Sequence, residues 1–549
     1  MFKGFGQLNT GRRILRPLIM CLLGSMMLYA GELGQNQPAR IVLKTTSGPV
    51  EGSQIDKLQV FRGIPYAAPP VSARRWRPPV PPTPWSEIRS AHEFGPACPQ
   101  VAEPGSTEPL PSMSEDCLTI NVWTPHADSG LRPVMVFIHG GAFMEGSTRE
   151  KPYDGTLLAA RGGIVVVTPQ YRVGAFGFLE LSDIAGKEFT QSGDLGVLDQ
   201  IAALRWVQQN IVAFGGNPKN VTILGESAGA VSVGTLLAAR EARGLFHKAI
   251  MESPRAPYGH TQARATQIAR QLMKLAGVST FSELKALSTD QIMAAQNKLF
   301  YARFEDTSFS PVLDGVVIPE PTQRKIIQGH GANVPLIIGT NLEELNFWEY
   351  EEGLPLDKIP PSVLEKQLQP LLGTKACAAI NLYTKGHPDR TQGEGIVTLL
   401  GDLTFRMPSI RIAESNSIRQ PTWMYLFTYH AKYGAEHAAE LPFVFGVSDE
   451  ANITGTEQQL AKLTSQMQLA WINFAREGDP NHSGLPFWPK YDLNSRATME
   501  FGLTSEVIND PNVNERKAWA GVPFDGITPD IDQASGLMTL AGGGKYWTW

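Results

Sequence analysis

The run Gly225-Glu226-Ser227-Ala228-Gly229 constrains this chain more than any other feature. It directly follows Asn220-Val221-Thr222-Ile223-Leu224, which reads as a buried strand, and precedes Ala230 to Ala238, which reads as a helix. A sharp strand-to-helix turn forces its central residue into a strained backbone conformation. Side chains on the neighbours would collide with the adjoining strand and helix, so glycines flank it. The turn lifts the Ser227 hydroxyl into the open and points the helix N-terminus at charge developing beside it. Gly-x-Ser-x-Gly alone is a common tight turn. The strand before it and the helix after it make it a nucleophile elbow.

Neighbouring segments supply a sheet to hold such a turn. Arg132 to Ile138 is a short apolar run ending in His139-Gly140-Gly141, and Gly163 to Pro169 reads the same way. Between Asp199 and Phe214 the residues Ile201, Leu204, Trp206, Val207 and Ile211 recur at helical spacing. Ala263 to Lys298 reads mostly helical, and Glu457 to Arg476 is another helix. Continuous β-branched runs alternating with helices indicate a mainly parallel sheet covered on both faces, an α/β fold.

A serine hydroxyl is a poor nucleophile until a base takes its proton, and its tetrahedral adduct needs donors for the oxyanion. His139-Gly140-Gly141-Ala142-Phe143 suits the second need, because small residues after a buried strand let backbone N–H groups point inward beside that of Ala228. Its position in this loop suits His139 to an ordering role better than to that of the base. In folds with this elbow the acid and then the histidine follow the serine along the chain. His387, His430, His437 and His482 all qualify, and spacing does not separate them.

The chain's net charge of −5, with no long run of one sign, argues against a nucleic-acid partner. Lys3, Arg12, Arg13 and Arg16 precede an uncharged apolar stretch from Pro17 to Ala30, the pattern of an export signal. That stretch is shorter than the roughly 20 residues a membrane span needs. We therefore expect a leader over residues 1–30, a secreted or periplasmic body over 31–520 and a C-terminal tail over 521–549. Beyond the leader lie Cys98, Cys117 and Cys377. The first two could close a small loop, although cysteine content leaves that open, and Cys377 is expected to be a buried small hydrophobe. There is no His-Glu-x-x-His and no paired Cys-x-x-Cys, so neither metal nor cofactor is expected.

Further motifs narrow the reading. They are Phe61-Arg62-Gly63-Ile64-Pro65-Tyr66-Ala67, Ser114 to Trp123, the loop from His139, Asn217-Pro218, Gly225 to Gly229 and Trp488-Pro489-x-Tyr491. In this order, from about Ile41 to Tyr491, the chain resembles the type-B carboxylesterases, the family of cholinesterases, bacterial para-nitrobenzyl esterases and fumonisin esterases. The resemblance implies an α/β-hydrolase fold and hydrolysis of small-molecule carboxylic esters through an acyl-enzyme on Ser227. Gly339-Thr340-Asn341-Leu342-Glu343-Glu344 resembles the acid motif and implies Glu344, although Leu345 replaces the usual glycine and Glu343 stands beside it. His437 to Gly446 resembles the histidine motif and implies His437 as base, with Ala438 in place of the common glycine. By the same likeness Gly141, Ala142 and Ala228 donate to the oxyanion, and Ser253 bonds to the acid. Glu226 and Glu440 neighbour the site, and Cys98 pairs with Cys117.

Cholinesterases carry a tryptophan within the equivalent disulfide loop, where it binds a quaternary ammonium. Here Pro99 to Asp116 holds no aromatic residue, so choline esters are not the expected substrates. Gly140-Gly141-Ala142 resembles the type associated with room for bulky alcohols. The same triad would also serve carbamates or aryl amides. Adhesion proteins of the family have usually lost a triad residue, and no long lipase-like flap is evident.

Overall fold

The computed structural model describes residues 40–522 and 524, apart from 101–111, 257–258, 302–308, 352, 354 and 448–454. The expected leader, most of the expected tail and most of the loop read against choline lie outside the described residues.

These residues build a 13-stranded sheet. Along its main path lie β1 (Ile41–Lys44), β2 (Pro49–Ile55), β3 (Leu58–Pro65), β4 (Thr119–Thr124), β5 (Arg132–Ile138) and β6 (Val165–Pro169). They are followed by β7 (Gly216–Glu226), β8 (Lys248–Glu252), β9 (Leu336–Asn341), β10 (Thr422–Phe427), β11 (Ala497–Phe501) and β12 (Glu506–Asn509). The spatial order is β1-β2-β3-β4-β6-β5-β7-β8-β9-β10-β11-β12, and the two-residue strand Arg89–Ser90 pairs with β2. Pairing is parallel from β6 across to β11 and antiparallel towards both edges.

Alternate residues of a strand point to opposite faces. Accordingly Val134, Val136, Ile138, Val221 and Ile223 join one apolar layer, and Met135, Phe137, Val166, Leu224 and Ile337 join the other. Helices Leu195–Asn210 and Ala228–Ala238 cover the first face, and Glu457–Glu477 covers the second with Met467, Trp471 and Phe474. Burial on both faces explains why these strands read as unbroken apolar runs. Among the described residues no helix is long and apolar enough to cross a membrane.

Arg172 and Asp199, both almost fully buried, form a two-pronged pair at 2.7 Å on each arm. The expected helical stretch over 263–298 is three helices, Gln262–Leu275, Phe281–Ala286 and Thr289–Tyr301, the second opened by a Thr280–Glu283 capping box.

One expectation is corrected. Cys377 is exposed. It lies on the helix Ala376–Lys385, whose core face is taken by Ala376, Ala379, Ile380 and Tyr383, so Cys377 falls outside that stripe. Val522 and Phe524 are buried, and Phe524 packs edge-on against Trp519 at 5.9 Å.

Cys98 and Cys117 are disulfide-bonded and fully buried, with their Cα atoms 5.1 Å apart at a sequence separation of 19. Opening a loop of that length in the unfolded chain removes about 3 kcal/mol of stability. Cys98→Ser is therefore expected to melt at lower temperature than the parent. Reduction should lower the parent's melting temperature and leave the variant's unchanged, as calorimetry with and without dithiothreitol would read.

Candidate active site

The strands of the parallel region end at one rim of the sheet, and four of those ends carry the site. β5 and β7 are hydrogen-bonded neighbours, with Ile138 opposite Gly225, so the loop from His139 emerges beside the turn at Ser227. β9 and β10 are neighbours too, with Asn341 opposite Phe427. Their continuations bring Glu344 and His437 together. Loops beyond the carboxyl ends of parallel strands, where strand order reverses, are where such sheets place ligands.

Ser227 sits at φ 55°, ψ −123°, between β7 and the helix Ala228–Ala238. Few non-glycine residues tolerate this region, and such strain persists only where the surroundings enforce it. Its backbone is held at both ends, Ser227 N donating to Glu252 O at 2.9 Å and Val231 N to Ser227 O at 2.9 Å. The flanking glycines are required by close approach. A Cβ on Gly229 would stand 2.0 Å from the Ile138 carbonyl oxygen, and one on Gly225 2.5 Å from Gly229 C. Ser227 is partly exposed while Glu226 and Ala228 on either side are buried. The turn thus presents the hydroxyl residue and hides its neighbours.

The loop after β5 is built for backbone display. Gly141, Ala142 and Phe143 all have positive φ, at 96°, 51° and 61°. The Gly141 carbonyl turns back to accept from Met144 N at 2.9 Å and Glu145 N at 3.0 Å. Ala228 opens its helix, where the N–H has no partner within the helix. His139 is fully buried, stacked on Tyr171 at 4.2 Å, with Nδ1 2.9 Å from Gly140 O. Burial pushes its pKa down to about 4, so it is neutral at pH 7 and braces the loop.

His437 is the histidine brought to this rim. Its Nδ1 lies 2.6 Å from Glu344 Oε2 and its Nε2 lies 3.0 Å from Glu226 Oε1. The second contact lacks hydrogen-bond direction, and both of its atoms are otherwise buried without partners. Since Ser227 follows Glu226, that nitrogen faces the nucleophile's neighbourhood. The imidazole is clamped between Trp348 and Phe405, with ring centroids at 4.8 and 4.9 Å. His387 contacts Glu515, His430 stands 3.8 Å from Glu343, and His482 bonds to the Gln466 carbonyl.

The two adjacent glutamates part company here. Glu344 is buried, and its Oε1 accepts from Asn341 N at 2.8 Å while Oε2 meets His437. Glu343 points to the other side of the turn, where its carboxylate accepts from Ala435 N at 2.8 Å. Ser253, at φ 52°, does not make the bond to the acid that the resemblance implied. Its Oγ is buried without a partner, while the Glu344 oxygens meet Asn341 and His437.

Glu440 lies behind His437 and accepts from Asn341 Nδ2 at 2.6 Å, and Glu252 accepts from Trp471 Nε1 at 2.7 Å. Three carboxyl groups, Glu226, Glu344 and Glu440, thus act on one buried imidazole, and Glu252 adjoins them. Burial pushes Glu226 up to about 8, with the charge of His437 opposing and those of Glu440 and Glu344 adding. Burial pushes Glu440 up to about 7. Burial also lifts Glu252, helped by Glu440. For His437, burial disfavours the imidazolium. Glu226 first and then Glu344 outweigh it and push the pKa up to about 9. Asn341, Glu252, Trp348 and Phe405 escaped sequence reasoning. The one available signal was a polar residue ending an otherwise apolar strand, at Glu252 and Asn341.

A profile of the carboxylesterase family matches residues 39–519. The para-nitrobenzyl esterase of Bacillus subtilis (strain 168) is 38% identical over 87% of this chain and 98% of its own length. The human cocaine esterase is 35% identical over 84% of this chain and 88% of its own. The solved structure of Geobacillus stearothermophilus carboxylesterase EST55 superposes with a TM-score of 0.80 at 36% identity, covering 87% of this chain and 99% of that one.

Proposed function

Because the chain belongs to the carboxylesterase family and is a carboxylic ester hydrolase of the α/β-hydrolase fold, we propose that Ser227, His437 and Glu344 form its catalytic triad. The observation that carries this reading is the strained Ser227 turn set beside an imidazole whose other nitrogen is held 2.6 Å from Glu344. His437 Nε2 takes the hydroxyl proton as Ser227 Oγ attacks the ester carbonyl. The N–H groups of Gly141, Ala142 and Ala228 hold the oxyanion, each typically worth about 2.7–4 kcal/mol in the transition state. His437 then protonates the leaving alcohol. Water repeats the sequence on the acyl-enzyme and releases the acid. Glu344 fixes the imidazole tautomer and stabilises the imidazolium.

The test is stoichiometric labelling. A para-nitrophenyl phosphonate should release one equivalent of nitrophenol, abolish hydrolysis of para-nitrophenyl butyrate and leave its mass on the peptide containing Ser227. Labelling elsewhere, or full activity after labelling, would sink the assignment. We propose small esters of bulky alcohols as the substrate class, para-nitrobenzyl esters among them. The names of the two curated relatives and the Gly140-Gly141-Ala142 loop support this. Export to the periplasm or medium is proposed on the basic and apolar pattern of residues 3–30. Sequencing the N-terminus of protein recovered from each fraction tests it.

The mechanism has a pH signature. Only neutral imidazole takes the proton, so kcat/KM rises as pH climbs through the His437 pKa. Glu226, 3.0 Å away, raises that pKa. In Glu226→Gln the acidic limb of the kcat/KM profile should therefore move to lower pH, by about 1–3 units. A limb that stays in place would show that Glu226 is not charged beside the imidazole.

A further inference from the structure

Glu252 takes no part in the proton transfers of the triad, yet it is built into the same site. It ends β8 and is fully buried. Its carbonyl accepts from Ser227 N at 2.9 Å, so it braces the nucleophile's turn. β8 lies in register with β7, with Glu252 opposite Glu226. Ile250 and Leu224, two positions back on each strand, join the apolar layer under the helix Glu457–Glu477. Alternation therefore directs both glutamates to that layer. There Trp471 Nε1 donates to Glu252 Oε1 at 2.7 Å, while Oε2 is buried without a hydrogen-bond partner. Among the described residues no Lys, Arg or His pairs with this carboxyl, and the imidazole of His437 is taken by Glu344 and Glu226.

An unpaired carboxylate is so costly to bury that such a group takes up a proton instead. Protonated, Glu252 offers one acceptor to Trp471 and one O–H donor from the oxygen that otherwise lacks a partner. Glu440 is the carboxyl that acts on it most strongly, followed by Glu226. Glu440 Oε2 accepts from Asn341 Nδ2 at 2.6 Å, and the Tyr425 hydroxyl stands 3.5 Å from its Oε1. Burial and Glu344 oppose charge on Glu440, while Asn341 and His437 favour it. For Glu252, burial, Glu440 and Glu226 oppose charge, and only the bond from Trp471 favours it. Glu440 is thus the better anion of the two, and Glu252 the better holder of a proton.

We propose that Glu252 is a positioning residue, a carboxylic acid that keeps its proton throughout turnover and donates it as a hydrogen bond to the Glu440 carboxylate. The O–H bond of Glu252 stays intact while the ester is cleaved. The donated hydrogen bond holds Glu440 ionised, and the charge of Glu440 is one of those that favour the imidazolium of His437. The link to turnover rests on the triad proposed for this chain. The proton itself follows from burial and from the supply of hydrogen-bond partners.

Infrared spectroscopy of the full chain reads the proton directly. The spectrum of the parent minus that of Glu252→Gln, at neutral pH, should contain the carbonyl stretch of an un-ionised carboxylic acid. Carboxylate bands in its place would overturn the proposal and leave the triad standing. Failed phosphonate labelling of Ser227 would do the reverse, removing the link to turnover and leaving the band. The role is read from the pH profile of kcat/KM on para-nitrophenyl butyrate. Glu252→Met removes the donor, so Glu440 takes up a proton and no longer raises the His437 pKa. The acidic limb should then move to lower pH by about one unit. Glu252→Gln gives Trp471 an acceptor and Glu440 an amide donor, and should return the limb to the parent's position. A limb that stays in place in Glu252→Met would overturn the positioning role. Equal movement in both variants would overturn it too, since loss of a negative charge from residue 252 gives that result. The infrared comparison stands even where Glu252→Met fails to fold.

Discussion

Ser227→Ala and His437→Ala are each expected to lower kcat for para-nitrophenyl butyrate by about 10⁴-fold or more, and the double variant to lose little beyond either alone. Nucleophile and base act as one unit. An alcohol with no base, or a base with no alcohol, leaves only the oxyanion donors and substrate binding, whose residual acceleration does not depend on the missing partner. Ser227→Ala should retain the parent's melting temperature to within about 1 kcal/mol of stability, because it removes one partly exposed hydroxyl. Turnover that survives either change at more than a hundredth of the parent rate would remove the acyl-enzyme mechanism proposed for this chain.

The second large effect separates two neighbours. Glu344→Gln is expected to lower kcat by about 10⁴-fold, the scale seen when a triad acid becomes an amide and the imidazole takes the wrong tautomer. Glu343→Gln should leave kcat within a few-fold of the parent, because its carboxylate serves Ala435 N on the other side of the turn. Steady-state kinetics on both variants, with circular dichroism to establish folding, decides between them. Similar losses in the two would mean that the turn carrying both residues has to be intact, and that Glu344 holds no special place. The Glu226→Gln pH profile complements this pair, since Glu226 acts on His437 through charge at 3.0 Å and Glu344 through a directed bond at 2.6 Å.

The carboxylates around His437 also explain a tension in the site. Four acids share this buried region with one imidazole, and burial opposes charge on Glu226, Glu252, Glu440 and His437. Asn341 and Trp471 each steady one of these acids by a donated bond, to Glu440 and Glu252 respectively.

Local features of this protein were legible in the sequence because local rules govern them. The strand, turn and helix around Ser227 lie within one short span, and a glycine at 225 or 229 announces contacts at 2.5 and 2.0 Å that no side chain could enter. Period-two burial on both faces likewise showed the parallel sheet in its apolar runs, and the strand Arg132–Ile138 stands as read. Exposure of Cys377 and burial of Val522 and Phe524 were not legible, since each depends on what packs against a given face. The choice among histidines was beyond spacing too, and motif likeness alone singled out His437. Glu344 and His437 are 93 positions apart, and they meet because β9 and β10 are adjacent in the sheet. That adjacency, a long-range pairing, sends Glu344 inward and Glu343 outward from the same turn, and it brings the imidazole to the rim that carries Ser227.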